Sequence, residues 1–192
     1  MNPITHFLVG WTISLPLTLE RRDRCLVVLA SVAPDLDGMV ILGDLAEGRR
    51  SEPMELWSRY HHLLAHNLGF ALLVALGCWF MARRKLATGA LALLAVHLHF
   101  LCDVVGSRGP DGYQWPVPYL LPFSNAWQLA VDWQWALNAW PNVVFTAILL
   151  ALTLYMSWVR GFSPVGLLSE RADRAFVAAL RGRFGPPVGS SA

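Results

Sequence analysis

The sequence predicts an all-α fold, a polytopic membrane helical bundle of about five apolar segments, and three observations predict it. Hydrophobic residues fill 55% of the 192 positions and charged residues only 15%, where roughly 25% charged is usual for a globular chain. Nine Trp and a mean hydropathy of +0.45 point the same way. The apolar residues also run in stretches too long for strands and not dominated by β-branched residues, which reads as helix. A chain of this length holds one compact domain with a sizeable core and is too short for two ordinary ones.

The same arithmetic excludes other classes. Intrinsic disorder fails because apolar content is high and no low-complexity tract interrupts it. A formal charge of +2, with fifteen Lys and Arg scattered along the chain, provides no basic stripe. No nucleic acid is therefore expected as a stable partner. Cys25, Cys78 and Cys102 sit in apolar stretches without C-x-x-C spacing, and read as buried free thiols, not a disulfide framework or zinc ribbon. The opening Met-Asn-Pro-Ile-Thr-His has no basic n-region and no small-residue cleavage site. It is not read as a removable signal peptide.

In chain order, residues 5–19 form a first apolar segment, closed by the polar run Glu20-Arg21-Arg22-Asp23-Arg24. A second, residues 25–33, stops at Pro34, because proline disfavours helix at the residue before it. Asp35-Leu36-Asp37-Gly38 and a short apolar piece follow, then a polar loop over 43–59. The third segment, 63–82, ends at Arg83-Arg84-Lys85, and the fourth, 86–105, turns straight back. Residues 106–124 are rich in Gly and Pro and are expected as an ordered loop. The last segment, 126–159, is interrupted by Pro141; residues 142–159 carry no charge, which suits a membrane span. Residues 1–162 are thus expected as the membrane-embedded domain and 163–192 as an amphipathic, partly disordered tail. In that tail Phe176, Val177, Leu180 and Phe184 share a helical arc of ~100°. A helix of this kind lies at headgroup level with its arginines toward anionic lipid, or packs on the bundle as an ordinary surface helix.

Ionisable groups inside apolar helices mark functional sites by default, and here they gather. His6 opens the first segment; Asp35 and Asp37 follow the second; His61, His62 and His66 open the third; His97, His99 and Asp103 lie late in the fourth. Around the Arg21-Arg22 turn, His6 and the Asp pair lie at matching separations, as His66 and His99/Asp103 do around Arg84. At ~1.5 Å rise per residue each hairpin brings its groups to the same open end. His99 and Asp103, and likewise His62 and His66, are four apart and share a helix face. His61 is expected beside the ligands or behind them, and His97, on the opposite face, as a packing histidine. One of Asp35 and Asp37 could instead cap the segment after it. Imidazoles with carboxylates form the ligand set of zinc, or of manganese or iron at hydrolytic sites. A divalent metal, zinc before manganese or iron, is the expected cofactor.

These residues resemble a known family. Thr5-His6, Pro34-Asp35-Leu36-Asp37, the run Tyr60-His61-His62-Leu63-Leu64-Ala65-His66-Asn67 and His99-Phe100-Leu101-Cys102-Asp103 resemble the membrane-bound metal-dependent hydrolases, as do residues 106–112 and 121–124. Bacterial members of that family include LexA-regulated inner-membrane proteins. The third segment departs from the family pattern, with His62, Ala65 and Asn67 where His-Arg and Thr-His-Ser are usual. The order of ligands is also similar to the helical zinc phospholipase C and single-strand nuclease group. Those enzymes carry further ligands later in the chain, whereas no histidine follows His99 here. The resemblance therefore implies one or two ions, not three.

A bound metal lowers the pKa of water and polarises a phosphoryl or carbonyl oxygen. Asp35 or Asp37 could orient or deprotonate that water, and Arg108 in the Gly/Pro loop could neutralise a phosphate oxygen. No H-E-x-x-H or G-x-S-x-G occurs, so the zinc-peptidase helix and the serine-hydrolase elbow are not expected. Metal-dependent hydrolysis of a lipid phosphodiester or other membrane ester is the expected activity; a metal-stapled structural protein or a metal transporter are the rivals. The resemblance implies a multi-pass protein of a bacterial-type inner membrane, and the basic turns lean its metal end to the non-cytoplasmic side. Trp127, Trp133, Trp135 and Trp140 read as an interfacial aromatic belt.

Overall fold

The computed structural model describes residues 1–40, 42, 46, 63–109 and 112–187. His61 and His62, and the loop around them, lie outside the described residues. The elements in order are α1 (Pro3–Ser14), α2 (Arg21–Val32), a 3-10 helix (Ala33–Val40), α3 (Leu68–Met81), α4 (Lys85–Gly106), strands β1 (Val117–Pro118) and β2 (Gln128–Leu129), α5 (Trp140–Arg160), a 3-10 turn (Pro164–Leu167) and α6 (Glu170–Phe184). The protein is mostly helical, as expected.

The sequence accounts for the helix limits. Asn2 accepts from the Thr5 N–H and Pro3 stands at the first helical position, where a missing N–H costs nothing. Asn67 caps α3 through the Phe70 N–H. Gly161 ends α5 at φ 75°, a left-handed conformation that glycine adopts without steric cost.

Of the five apolar segments expected, two form helices long and apolar enough to cross a membrane, α4 with 22 residues and α5 with 21. At ~1.5 Å per residue each spans the ~30 Å of a hydrocarbon core. Helices α1 and α2 have 12 residues each and α3 has 14, too short to cross unaided. Residues 126–139 correct the sequence reading: they form no helix. They hold β2, which pairs antiparallel with β1 through Val117–Leu129 and Pro118–Gln128, and they lie against α4. Pro141 is the reason, since it starts α5 within its first turn and cannot sit in the middle of a longer helix.

The central core joins α2, α3 and α4 through Val27, Ala30, Ala71, Ala92, Ala95, Val96 and Phe100. Helix α1 packs against α2, α4 and α5. Its approach to α2 is close: a Cβ on Gly10 would fall 2.2 Å from Ser31 Oγ, so only glycine fits there. Outward, Leu73 and Phe80 of α3 and Val143 and Ile148 of α5 are more than half exposed. Exposed apolar side chains on α3 and α5 suit a surface that faces lipid.

The basic turns meet at one end. Asp23, fully buried, accepts the backbone N–H groups of Arg83 (2.9 Å) and Arg84 (2.8 Å). Burial by itself would raise the Asp23 pKa; the backbone donors of Arg84 and Arg83, with the Arg22 charge, outweigh it and hold the carboxyl below its ordinary value. The Arg24 guanidinium lies 4.1 Å over the Phe162 ring, beyond the end of α5. The expected pairing of hairpins is therefore observed, with the histidines and aspartates at the opposite end.

Candidate metal centre

Four separate elements bring the predicted residues together. Helix α1 carries His6, the 3-10 helix carries Asp35 and Asp37, the residues before α3 carry His66, and α4 carries His99 and Asp103. His6, His66, His99 and Asp103 are each no more than 1% exposed. His6 and His99 stack at 3.7 Å between ring centroids, a contact that the Gly10–Ser31 approach permits.

His66 corrects one detail. It was expected within a helix, four residues after His62; it lies instead in the bend preceding α3. Asn67 caps the helix one residue later, and the Leu68 N–H donates to the Tyr119 carbonyl at 2.8 Å. Freed from the helix, the His66 ring reaches Asp37 and His99.

The hydrogen bonds assign the imidazole protons. His99 Nδ1 lies 2.8 Å from the Ser31 carbonyl, which can only accept. His66 Nδ1 lies 2.9 Å from Asp37 Oδ2, a carboxylate acceptor. Each Nδ1 therefore carries a proton, and in the neutral imidazole each Nε2 presents a lone pair. The two Nε2 atoms lie 3.1 Å apart. Asp103 Oδ2 lies 2.9 Å from that of His99 and 3.3 Å from that of His66. In these neutral tautomers two lone pairs and a carboxylate oxygen face one another, an arrangement that a cation or a shared proton would stabilise. His6 Nε2 comes within 3.2 Å of Asp103 Oδ1 without an aligned hydrogen bond, and the α-amino group of Met1 donates to the same oxygen.

His6, Asp35, His99 and Asp103 each offer one ligand atom, all within 4.8 Å of one another, and this cluster could hold a metal ion. The donor set fits. Histidines that bind metal through Nε2 donate their other N–H to a carbonyl or carboxylate, as His99 does to Ser31 and His66 to Asp37. Asp35 is the accessible member, with 20% of its side chain exposed and Oδ1 3.7 Å from His99 Nε2.

The other predicted residues separate from the cluster. Asp37 also accepts from the Ala65 N–H at 3.2 Å, so it orients His66 and the backbone before it. His97 is the packing histidine expected, with Nδ1 2.8 Å from the Leu93 carbonyl and Nε2 3.0 Å from Tyr119 Oη. Arg108 donates to the Asp132 carbonyl at 2.6 Å, and its backbone pairs with Trp135 and Leu137.

Sequence reasoning missed the groups that hold α4 in place. Gln134 Nε2 donates to the Asp103 carbonyl at 2.8 Å. Buried Asn142 donates to the Gly106 carbonyl (2.7 Å) and accepts from Trp135 Nε1 (2.6 Å). A lone Asn in an apolar helix was the available signal. The Ser31 carbonyl left none, because every residue has one.

A family model, YdjM inner membrane protein, matches residues 1–179. No curated protein and no solved structure matches the chain.

Proposed function

For a chain that belongs to the YdjM inner membrane protein family, we propose metal-dependent hydrolysis of a phosphodiester or other ester of a lipid-like substrate. The observation that carries this reading is the meeting of His66 Nε2, His99 Nε2 and Asp103 Oδ2 with both Nδ1 protons already committed. His6, Asp35, His66, His99 and Asp103 would hold the ion, and zinc suits nitrogen and oxygen donors of this kind. When bound, such an ion acidifies water and polarises a phosphoryl oxygen. Asp35, on the open side, holds or accepts the proton of the attacking water. Asp37 keeps the His66 tautomer in place, and buried Phe100, 5.7 Å from the His66 ring between centroids, shields it from bulk water. The exposure of Asp35 favours hydrolysis over a closed structural staple, which leaves no open position.

Metal analysis of the purified protein, followed by a phosphodiesterase screen on lipid and nucleotide substrates, tests the reading. Stoichiometric metal and hydrolysis that a chelator abolishes are expected. A metal-loaded protein inert toward every ester offered would sink it.

The metal end is proposed to face away from the cytoplasm, because Arg21, Arg22, Arg24, Arg83, Arg84, Lys85 and Arg160 gather at the other end. With Cys25, Cys78 and Cys102 removed, an impermeant thiol reagent added outside should label Tyr113→Cys, at an exposed position near Gly109, and spare Arg84→Cys. The reverse pattern inverts the orientation.

A further inference from the structure

At the basic end, between Trp11 of α1, the first turn of α2 and the start of α6, lies a cavity of about 150 Å³. A space of that size holds more than one water. Arg21, Arg24, Glu170 and Asp173 all border it. The carboxylates are committed within the chain. Asp173 Oδ1 accepts from the backbone N–H of Ser163 at 2.7 Å and from its hydroxyl at 2.5 Å. Glu170 pairs with Arg21 at 3.3 Å and with Arg174 at 4.0 Å, and the exposed Arg21–Glu170 pair stands at the mouth.

The donors on the other wall are not committed. Trp11 is 1% exposed, yet its indole N–H has no acceptor, and the Nε–H of Arg24 is buried without one as well. The Arg24 guanidinium lies 5.4 Å from the centre of the Trp11 ring and 4.1 Å from that of Phe162, and all three side chains line the cavity. Arg24 Nη2 donates to the Leu19 carbonyl at 3.1 Å. Among the described residues no carboxylate pairs with Arg24. Burial, and after it the charge of Arg160, push the Arg24 pKa below its usual value against the pull of Asp173. Buried N–H groups without acceptors are costly and rare, so two of them beside one cavity mark the place of an acceptor. A water could take both hydrogen bonds but would leave the guanidinium without a counter-charge. An oxyanion supplies both.

We propose that this cavity binds a phosphate group, held by the Arg24 guanidinium and the Trp11 indole N–H, with Arg21 at its mouth. The guanidinium fork matches the spacing of phosphate oxygens. Helix α5 is long and apolar enough to cross the membrane and ends at Arg160, two residues before Phe162 and three before Ser163 of the lining. The cavity therefore lies at the membrane surface, where two sources offer the group: a phospholipid headgroup and free phosphate. The site depends on neither metal binding nor hydrolysis.

The test uses the full-length protein with isotope-labelled tryptophan, first in maltoside micelles, which contain no phosphate. Trp11→Phe identifies the indole N–H signal of Trp11, and the remaining indole signals report the fold. Inorganic phosphate at constant ionic strength should move the Trp11 signal to saturation, and chloride should not. In a phosphatidylglycerol bilayer without added phosphate, a signal already at the shifted position assigns the site to the lipid headgroup; a shift that waits for added phosphate assigns it to the free anion. Arg24→Gln should abolish the shift while the other indole signals stay in place. Glu170→Gln removes a competing negative charge from the lining and should tighten binding roughly two- to five-fold, a gain that a misfolded variant cannot show. A Trp11 signal that phosphate moves no more than chloride does and that the lipid leaves unshifted overturns the proposal. A shift that survives Arg24→Gln, or an affinity that Glu170→Gln leaves unchanged, overturns it as well.

Discussion

Asp23 and Asp103 stand at opposite ends of the bundle, each at most 1% exposed, and their surroundings differ in kind. Asp23 is met by donors: the N–H groups of Arg83 and Arg84 point at its two oxygens. Asp103 Oδ2 is met by two imidazole nitrogens whose protons are used elsewhere. Burying a carboxylate is costly unless it is paired and hydrogen-bonded. At the basic end the chain supplies that compensation itself and ties α2 to the α3–α4 turn. At the histidine end the Met1 α-amino group donates to Asp103 Oδ1, while Oδ2 faces two imidazole nitrogens whose Nδ1 partners are acceptors, a set that a cation would complete. The same residue type ties helices together in one place and stands in a candidate metal cluster in the other.

The largest effect should come from Asp103→Ala. Changes behind metal ligands cost roughly 10–100-fold in affinity, so loss of the central carboxylate should exceed that and remove stoichiometric metal. Elemental analysis of the folded variant reads this directly, and undiminished metal would erase the contrast between the two ends.

Asp37→Asn comes next. It keeps the shape and removes the charge that holds the His66 proton on Nδ1, so metal affinity should fall by roughly 10–100-fold. Competition with a chelator measures the shift. An unchanged affinity would mean that His66 is oriented without Asp37.

The smallest effect on the centre should follow Asp23→Ala, which sharpens the comparison from the other side. Two backbone N–H groups lose their acceptor, at a cost of about 1–3 kcal/mol each if left unsatisfied and less where water reaches them. Unfolding in detergent should register this while metal per folded molecule stays the same. The pH dependence has a definite sign. Because the folded pKa of Asp23 lies below its ordinary value, the stabilisation is present above about pH 4 and fades as pH falls through the folded pKa. Thermal unfolding of the parent and Asp23→Ala proteins should therefore converge on acidification. A gap between them that persists in acid would show that Asp23 acts through packing and not through its charge.

Much of this was legible in the chain itself. Apolar stretches and their basic ends are local properties, so helix content and the meeting of the basic turns follow from residue order, while two of the five expected segments reach spanning length among the described residues. The histidines and aspartates announced themselves because ionisable groups are expensive in apolar helices. His97 was separable from His99 by the helical repeat alone. The tail helix was readable too, from the arc of Phe176, Val177, Leu180 and Phe184.

Tertiary structure decided the rest, and in each case the reason is that the deciding partner is distant in sequence or is backbone. The proton on His99 Nδ1 is set by the carbonyl of Ser31, on another helix. His66 leaves the expected helix because Asn67 caps it and Tyr119, from a remote loop, accepts the Leu68 N–H. Asp37 faces His66, and Asp35 the open side, through the turn of a 3-10 helix that composition does not specify. Residue types determined that a cluster would form at one end of the bundle. Only packing determined which atoms face inward with lone pairs and which spend their protons on the chain.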